Sequence, residues 1–581
     1  MIETDVLVVG SGPAGSASAA LLAMYGVPHI LVTKYGWLAD TPRAHITNQR
    51  TMEVLRDLGV EGEAIAKSSP QDLMANIVFC ASLAGEELGR LYGWGNHPLR
   101  KADYDLASPT RICDVPQDLM EPILLGAAGR RGSTIKLNTE LVDLSQDADG
   151  VTAQVKDRTS GETYAIRAKY LIGADGGKSR VAELVKLPFE GKLGVAGSMN
   201  IVFEADLSRH VAHRPSVLYW VLQPGANIGG IGAGLVRMVR PWTEWLIVWG
   251  YDISSGEKDL DDAEAIEIVR GLVGDPDLQP TIRSTSTWSV NNLYAARYTA
   301  GRVFCMGDAV HRHPPTNGLG SNTSIQDAYN LCWKLALVLR GQASPALLAS
   351  YDAERQPVGK QIVTRANKSI EDFPPIFDAV GLLSSTNADE ASAYIAARKA
   401  PTVEGAARRR KLHEAIAYKT YEFNCHGVEM NQRYASSAVV SDGTPEPEWR
   451  RDRELYFQAT TWPGARVPHV WLERDRKRLS TIDLVGHGRF TLLTGIGGER
   501  WRSAASAIAA RTGVAIMTFS IGPAGCDVQD IYGDWFRDSE VAEDGCVLVR
   551  PDMHVAWRSA RIVDDAEAAL AHVMKQLLAT G

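Results

Sequence analysis

The sequence predicts an α/β fold that becomes α+β overall, because an antiparallel sheet is inserted into it. A short apolar strand, Val6 to Val9, runs into a glycine-rich turn and a helix of small residues. Residues 185–290 alternate between apolar and polar side chains and are rich in tryptophan. Residues 489–578 return to alternating strands and helices. Buried parallel strands form short continuous apolar runs, whereas half-buried antiparallel strands alternate.

The composition is that of a multidomain globular protein. A chain of 581 residues is too long for one core, so two to four domains are expected. The net charge of −8 and the lack of a long basic tract argue against a nucleic-acid partner. No apolar stretch is long enough to predict a membrane span, and the first residues lack the features of a signal peptide. We therefore expect a cytoplasmic protein with no membrane partner.

The seven cysteines are scattered along the chain and form neither a CxxC pair nor a metal-ligand spacing. We predict reduced thiols and no metal site.

The remaining elements follow from periodicity and turn residues. A hairpin is expected around Asp149-Gly150, and the proline, glycine and charged residues of 441–468 predict a linker. The other predicted elements are helices at 51–58, 117–128 and 322–340, a mostly helical stretch at 360–440, strands at 489–494, 514–519, 545–549 and 554–558, and helices at 501–511 and 564–578.

The first glycine motif is Gly10-Ser11-Gly12-Pro13-Ala14-Gly15, between the first strand and the first helix. Such a turn lets the backbone approach a diphosphate and aims a helix N-terminus at it. We assign the turn itself to Gly10, the close approach to Gly12 and helix–strand packing to Gly15. This context is the one that a nucleotide-binding, Rossmann-like unit requires.

One feature of that unit departs from the usual pattern. An acidic residue about 20 positions further on normally holds a ribose hydroxyl. Here no Asp or Glu occurs between Ser16 and Ala39, and the second strand ends in Val32-Thr33-Lys34. Lys34 therefore leaves open a second interpretation, a site for the 2′-phosphate of NADP.

Two further motifs follow in order. Gly173-Ala174-Asp175-Gly176-Gly177 ends a predicted buried strand. Gly307-Asp308-Ala309-Val310-His311 is followed by Pro314-Pro315 and by Gly318-Leu319-Gly320. One glycine motif alone is weak evidence, but three in this order indicate one large cofactor lying along the protein.

With these motifs the chain resembles the single-component flavoprotein aromatic hydroxylases, within the phenol hydroxylase branch. The segments TPRAHITNQRTMEVLRDLG (41–59) and FCMGDAVHRHPPTNGLGSNTSIQDAYNLCWKLA (304–336) are most similar to the chlorophenol and 2-hydroxybiphenyl hydroxylases of that family. The resemblance implies bound FAD and NADPH, or NADH, as a transient reductant. The cofactor-binding residues predicted from the motifs and the resemblance together are Gly10, Gly12, Pro13, Ala14, Gly15, Lys34, Arg43, Gln117, Asp175, Gly176, Asp308, Pro315, Gly318, Leu319, Gly320 and Asn322.

The resemblance also divides the chain. We expect a discontinuous FAD-binding domain (1–184 and 291–375), a substrate-binding sheet (185–290, with 76–110 contributing), a helical segment (376–450) and a thioredoxin-like domain (451–581). The last domain lacks the CxxC motif, so we expect it to pack or to support a dimer and not to carry out redox chemistry.

The implied reaction is ortho-hydroxylation of a substituted phenol, a chlorophenol such as 2,4-dichlorophenol, to a catechol through a flavin hydroperoxide. A phenol ring attacks well only when its hydroxyl is deprotonated or nearly so, which calls for a base. His45 is the candidate base because the ordinary pKa of histidine suits neutral pH. Asp114 is expected to orient His45 or to contact the substrate. The structural alternatives are that His45 packs against or caps the following helix and that Asp114 is a turn residue.

Other pocket residues are less specific. Arg240 is expected to meet the flavin or the phenolate from the sheet side, with Arg237 as the alternative. Trp94 and Pro314 are predicted to line the substrate pocket. A surface arginine and a core tryptophan are the structural alternatives here.

Competing functions stay open at this point. The same scaffold could hydroxylate 2-hydroxybiphenyl, another aryl phenol or a larger polycyclic aromatic. An NADH oxidase or non-catalytic flavoprotein would show no phenol-dependent turnover, and a scaffold protein would bind no yellow cofactor. The expected partners are a small phenolic substrate and molecular oxygen, and a homo-oligomer, a dimer or tetramer, is expected.

Overall fold

The computed structural model describes residues 2–223, 234–251, 253–256, 260–385 and 387–580. In its N-terminal part, β1 lies between β10 and β2 and runs parallel to both. The residues Val6–Val9 of β1 are buried, as predicted for a central parallel strand. The elements of this part are β1 (Ile2–Val9), α1 (Pro13–Met24), β2 (His29–Val32), β3 (Ile46–Thr47), α2 (Gln49–Asp57), α3 (Glu61–Lys67), β4 (Asn76–Cys80), β5 (Glu87–Tyr92), α4 (Lys101–Ala107), β6 (Cys113–Asp114), α5 (Gln117–Arg130), β7 (Thr134–Lys136), β8 (Thr139–Gln146), β9 (Val151–Asp157), β10 (Thr163–Gly173) and α6 (Arg180–Leu184).

The predicted helix at 51–58 begins two residues earlier, at Gln49. The side chain of Asn48 accepts a hydrogen bond from the Thr51 N–H at 3.0 Å and caps the helix. The hairpin predicted around Asp149-Gly150 is confirmed, because β8 and β9 pair antiparallel on either side of it.

The middle of the chain forms the predicted antiparallel sheet. β11 pairs antiparallel with both β14 and β15, and β4 joins the sheet through a parallel pairing with β12. Two helices, α7 and α8, interrupt a segment in which we expected strands alone. Residues 224–233, 252 and 257–259 lie outside the described part. The elements here are β11 (Phe189–Glu204), α7 (Ser208–Val211), β12 (Leu218–Val221), β13 (Gly234–Arg240), β14 (Glu244–Tyr251), α8 (Asp262–Val273), β15 (Thr281–Ala295) and β16 (Thr299–Ala300).

The chain then returns to the parallel sheet. β17 pairs in parallel with β10, so the third glycine motif leaves the sheet beside the second. A run of helices follows, as predicted. The elements are β17 (Val303–Cys305), β18 (His311–Arg312), α9 (Gly320–Leu339), α10 (Ala349–Glu371), α11 (Pro374–Ala379), α12 (Ala388–Ala397), α13 (Val403–Tyr418), α14 (Thr420–Phe423) and α15 (His426–Met430).

The C-terminal unit has its own sheet. β21 and β22 are parallel across α16, and β24 and β25 form a hairpin before α18, the arrangement of a thioredoxin-like unit. The elements are β19 (Trp471–Arg474), β20 (Lys477–Ser480), β21 (Phe490–Thr494), α16 (Glu499–Thr512), β22 (Ile516–Gly522), β23 (Val528–Gln529), α17 (Asp534–Asp538), β24 (Cys546–Val549), β25 (Val555–Ser559) and α18 (Ala566–Leu577).

This unit shares a core and buried ion pairs with the N-terminal part. Trp333 of α9 meets Phe490 of β21 edge to face, with ring centroids 5.9 Å apart. Arg466 pairs with Glu53 of α2, and Arg550 pairs with Glu354 of α10; all four side chains are buried. Because apolar contacts and buried ion pairs both cross this interface, the C-terminal unit is not a loosely tethered module. The exact domain boundaries stay a prediction.

Candidate active site

The first glycine motif folds into the tight turn that was predicted. Gly10 has φ +106°, and a Cβ there would lie 2.2 Å from the Ala174 carbonyl oxygen. A Cβ on Gly15 would lie 2.0 Å from the Gly10 carbonyl oxygen. The first motif is therefore packed directly against the second, and neither position has room for a side chain.

Two helices present N-termini without side-chain caps near this turn. α1 starts after Gly12, and α9 starts after Leu319; neither preceding residue caps its helix through a side chain. The unpaired N–H groups at such ends attract anions and carbonyl oxygens. A narrow gap separates the two ends, lined by Pro13, Ala44, Thr47, Thr51, Val115, Gln117, Met120, Ser321, Asn322 and Ile325.

The third motif presents a free carboxylate. Asp308 is exposed, and within the described residues its side chain has no hydrogen-bond partner. Gly307, beside it, packs against the first motif: a Cβ there would lie 3.2 Å from the Ala14 side chain. A free carboxylate next to a glycine turn of this kind can hold the hydroxyls of a dinucleotide.

Asp175 of the second motif has hydrogen-bond partners within the chain, and its contact with the cofactor stays a prediction. The Asp175 carboxylate accepts hydrogen bonds from the Ser179 hydroxyl at 2.5 Å and the Val181 N–H at 3.0 Å. The carboxylate is thus engaged at the start of α6. Gly176 has φ +81° and nothing near its missing side chain, so the backbone here is open to a ligand.

At the end of β2, Thr33 occupies the place of the usual ribose-binding acid. Thr33 is buried, and its hydroxyl accepts a hydrogen bond from the Ser11 hydroxyl at 3.1 Å. Lys34 is exposed, with its ammonium 5.3 Å from the centre of the Tyr35 ring. The end of the predicted cofactor site is therefore neutral or basic, and not acidic.

Gln117 is held by a carboxyl group that sequence reasoning missed. The Gln117 amide donates to Glu121 at 2.7 Å, and the other Glu121 oxygen accepts the Ala39 N–H at 2.7 Å. Burial raises the pKa of Glu121. This group ties α5 to the loop that carries Arg43, whose side chain is exposed.

His45 and Asp114 come together as predicted. β3 and β6 pair antiparallel, which places Ile46 opposite Asp114. The His45 Nδ1 lies 3.0 Å from the Asp114 carboxylate, and no described residue bonds its Nε2. The second Asp114 oxygen is buried without a partner. A buried polar atom without a partner is costly unless a ligand completes it.

The arginine of this cluster is Arg237, not Arg240. Arg237 lies 2% exposed and donates to Asp114 at 3.3 Å and to the carbonyl oxygens of Pro42 and Arg43. Arg240 is exposed and pairs with Glu244 at 2.6 Å. The register of β13 against β14 shifts between Met238 and Arg240, so Arg240 stands at the end of the strand opposite Glu244, whereas Arg237 lies within the sheet opposite Leu246.

The charges of the cluster follow from burial. Burial and the Arg237 charge lower the pKa of His45, although Asp114 opposes them. Burial acts to raise the pKa of Asp114, but the charges of His45 and Arg237 outweigh it and lower the pKa. Burial lowers the pKa of Arg237, yet arginine keeps its proton in proteins. At neutral pH the cluster therefore holds a carboxylate, a guanidinium and a neutral imidazole.

The residues that follow His45 lie against the start of α9. Asn322 donates to the Ile46 carbonyl oxygen at 2.7 Å and accepts the Asn48 N–H at 2.9 Å. A Cβ on Gly318 would lie 3.1 Å from the Ile46 side chain. His45, the candidate base, is therefore the sequence neighbour of a residue, Ile46, that contacts the N-terminus of α9.

The two predicted pocket residues are both buried. Trp94 has φ +56°, meets Phe423 edge to face at 5.6 Å and leaves its Nε1 without a partner among the described residues. Pro314 is buried, and its carbonyl oxygen lies 2.6 Å from the His313 Nδ1, whereas Pro315 is exposed. Whether they line the substrate pocket stays a prediction.

The geometry fits FAD. Two uncapped helix ends, the exposed carboxylate of Asp308 and a tight glycine turn are the groups that a dinucleotide requires. The FAD binding domain family matches residues 3–366, and the family of the C-terminal domain of aromatic-ring hydroxylases matches residues 460–580. The chain belongs to the FAD-dependent aromatic-ring hydroxylases and is a flavoprotein monooxygenase.

Similar proteins align with this chain over nearly its whole length. It is 56% identical over 578 residues to the 2,4-dichlorophenol 6-monooxygenase of Delftia acidovorans, covering 100% of this chain and 98% of the relative. It is 51% identical over 576 residues to the phenol 2-monooxygenase of Pseudomonas sp. (strain EST1001), covering 99% and 93%. The crystal structure of the flavin-dependent monooxygenase PieE in complex with FAD and substrate is 46% identical, with a TM-score of 0.95 and 100% coverage of both chains.

No described helix is long and apolar enough to cross a membrane. Within the same residues, no group of three or more His, Cys, Asp or Glu side chains could hold a metal ion.

Proposed function

We propose that this protein hydroxylates a substituted phenol at the ortho position, giving a catechol, with a chlorophenol such as 2,4-dichlorophenol as substrate. The names of relatives that match over nearly their whole length support this substrate class. The observation that carries the mechanism is the cluster of His45, Asp114 and Arg237 beside the cofactor cradle.

His45 is the proposed base. A neutral imidazole that donates its Nδ1–H to Asp114 keeps the lone pair of Nε2 free to accept the phenolic proton. Asp114 holds this tautomer and stabilises the imidazolium that forms. The Arg237 guanidinium favours the negative charge that develops on the phenolic oxygen. Removal of the phenolic proton makes the ring a better nucleophile. This proton transfer is the step that the protein itself must provide.

The cofactor supplies the oxygen chemistry: bound FAD, reduced by NADPH or NADH, activates molecular oxygen. The residues proposed to hold FAD are those of the three glycine motifs, with Asp308 at the ribityl or ribose hydroxyls and the α1 N-terminus at the diphosphate. Thr33, Ser11 and Lys34 stand where a ribose-binding acid is usual.

A larger aromatic substrate is the second candidate. The chain is 34% identical to the tetracenomycin B2 monooxygenase-dioxygenase of Streptomyces olivaceus and 29% identical to a solved aklavinone-11 hydroxylase in complex with FAD and aklavinone. The higher identity to phenol and chlorophenol enzymes favours the smaller substrate.

The cellular setting is also proposed. All seven cysteines are free and six of them are buried, as expected for a protein of a reducing compartment such as the cytoplasm. A homo-oligomer, a dimer or tetramer, is proposed.

The test is oxidation of NADPH, and separately of NADH, by the FAD-loaded protein with and without 2,4-dichlorophenol, phenol, 2-hydroxybiphenyl and a polycyclic phenol. We expect strong stimulation by the chlorophenol and a product heavier by one oxygen atom. Stimulation by the polycyclic compound alone would contradict the proposed substrate class.

A further inference from the structure

Asp327, on the helix α9, accepts hydrogen bonds from three partners in a fully buried position. Its Oδ2 accepts the backbone N–H of Gly307 at 3.1 Å and lies 2.9 Å from the His311 Nε2. Its Oδ1 accepts Arg355 Nε at 2.7 Å. Asp327, His311 and Arg355 are all 0% exposed in their side chains.

Two of these bonds hold both ends of the turn that presents Asp308. Gly307 begins the turn and His311 ends it. Gly307 has φ +62°, and a Cβ there would lie 2.8 Å from the Ser324 hydroxyl, so the turn has little room to adopt another shape. The Asp308 side chain, in contrast, is exposed between these two fixed points.

The other carboxylate oxygen connects this turn to the C-terminal unit. Arg355 donates from its Nη1 to the Gln432 side chain at 2.8 Å and to the Tyr434 hydroxyl at 2.9 Å. The Tyr434 ring stacks on His554, with centroids 4.2 Å apart, at the edge of the C-terminal sheet. A continuous set of buried contacts therefore runs from the third glycine motif to a unit that has no redox motif of its own.

We propose that Asp327 is a positioning residue for FAD, and that Arg355 and Tyr434 couple the C-terminal unit to FAD affinity. The proposal rests on the assigned FAD site but not on the choice of phenol. Asp327 touches neither flavin nor substrate. It fixes the turn from which Asp308 reaches the cofactor hydroxyls, and a buried carboxylate with three donors is rigid because each donor would otherwise lose its partner.

The main test replaces Asp327 with Asn in the full-length chain. An amide has one oxygen, so it cannot accept from both Arg355 and the turn. Apoprotein is titrated with FAD, and binding is followed by the quenching of flavin fluorescence, with no phenol or nicotinamide present. We expect the Kd for FAD to rise at least tenfold. An unchanged Kd would overturn the proposal.

Lys334→Met is the matched control. Lys334 lies on the same helix, is equally buried and pairs with Glu354 at 2.8 Å, but it does not contact the turn. Its loss is expected to lower the melting temperature while the FAD Kd stays within twofold of wild type. An equal loss of FAD affinity in Lys334→Met and Asp327→Asn would mean general destabilisation and would contradict a positioning role.

Tyr434→Phe tests the coupling and serves if Asp327→Asn does not fold. It removes one hydroxyl from Arg355 and leaves the stacked ring in place. We expect a two- to fivefold rise in the FAD Kd, and no further rise when Tyr434→Phe is added to Asp327→Asn. Wild-type affinity in Tyr434→Phe would refute the coupling, and additive losses would show that the two residues act separately.

Discussion

Replacing His45 with Gln tests the proposed base most sharply. Glutamine is similar in size and its amide can still donate to Asp114, but it cannot accept a proton. General bases contribute roughly 10²- to 10⁴-fold, which corresponds to about 3–5 kcal/mol of activation free energy. We therefore expect phenol hydroxylation at pH 7 to slow by that factor, while FAD content stays at the wild-type level.

The acidity of the substrate provides an internal check. A phenol that is already ionised at the assay pH needs no base, so the defect of His45→Gln should shrink for more acidic phenols and at higher pH. The pKa of His45 is lowered by burial and by Arg237 from its ordinary 6.5. The wild-type activity should accordingly persist below pH 6.5 and fall only where His45 takes up a proton.

The assay is product formation by mass together with NAD(P)H consumption in pre-steady-state and steady-state experiments. Arg240→Gln is the matched control, because its side chain is exposed and pairs with Glu244 at 2.6 Å away from the cluster; it should hydroxylate at the wild-type rate. If His45→Gln keeps the wild-type rate with every phenol and the same pH profile, the base assignment is wrong.

Three further predictions follow from buried contacts. Gly15→Ala would place a Cβ 2.0 Å from a backbone carbonyl oxygen and should abolish FAD retention, whereas the control Gly62→Ala, where a Cβ meets open space, should retain FAD. Equal flavin content in the two variants, measured by absorbance, would contradict this prediction. Burial raises the pKa of Glu429 to about 8, so ionisation of this carboxyl in the unfolded chain lowers the free energy of unfolding by about 3 kcal/mol at pH 7. Glu429→Gln should therefore raise the melting temperature at pH 7–8 but not near pH 4.5, and the reverse trend would refute this. Arg466→Met removes a positive charge from beside the buried Glu53 carboxylate and should lower the free energy of unfolding, measured by chemical denaturation, by about 3–5 kcal/mol. An unchanged denaturation midpoint would show that this pair does not hold the two units together.

Much of the fold could be predicted because its signals are local. Val6–Val9, the glycine turn and α1 are contiguous, and the strands and helices of the C-terminal unit differ from prediction by a few residues at their ends. The helix α8 was missed because it lies inside a segment whose alternation suggested strands. Its start is nonetheless signalled locally, because Asp261 caps it through the Glu264 N–H at 2.8 Å.

The site was predicted only as far as local motifs reach. His45 and Asp114 are 69 positions apart and were paired by family resemblance; the antiparallel pairing of β3 and β6 explains why they meet. Arg237 was named only as an alternative to Arg240, because a strand's facing direction depends on its register with neighbouring strands. Asp327 was not predicted, since its partners are 16 to 28 positions away and lie on three elements.

The most direct test of the account is hydroxylation of 2,4-dichlorophenol by the FAD-loaded protein under ¹⁸O₂ with NADPH or NADH. We predict that the phenol accelerates reductant consumption and that one ¹⁸O atom appears in a catechol product. Reductant consumption that does not respond to any phenol, with oxygen recovered only as hydrogen peroxide, would contradict the assignment as a phenol hydroxylase.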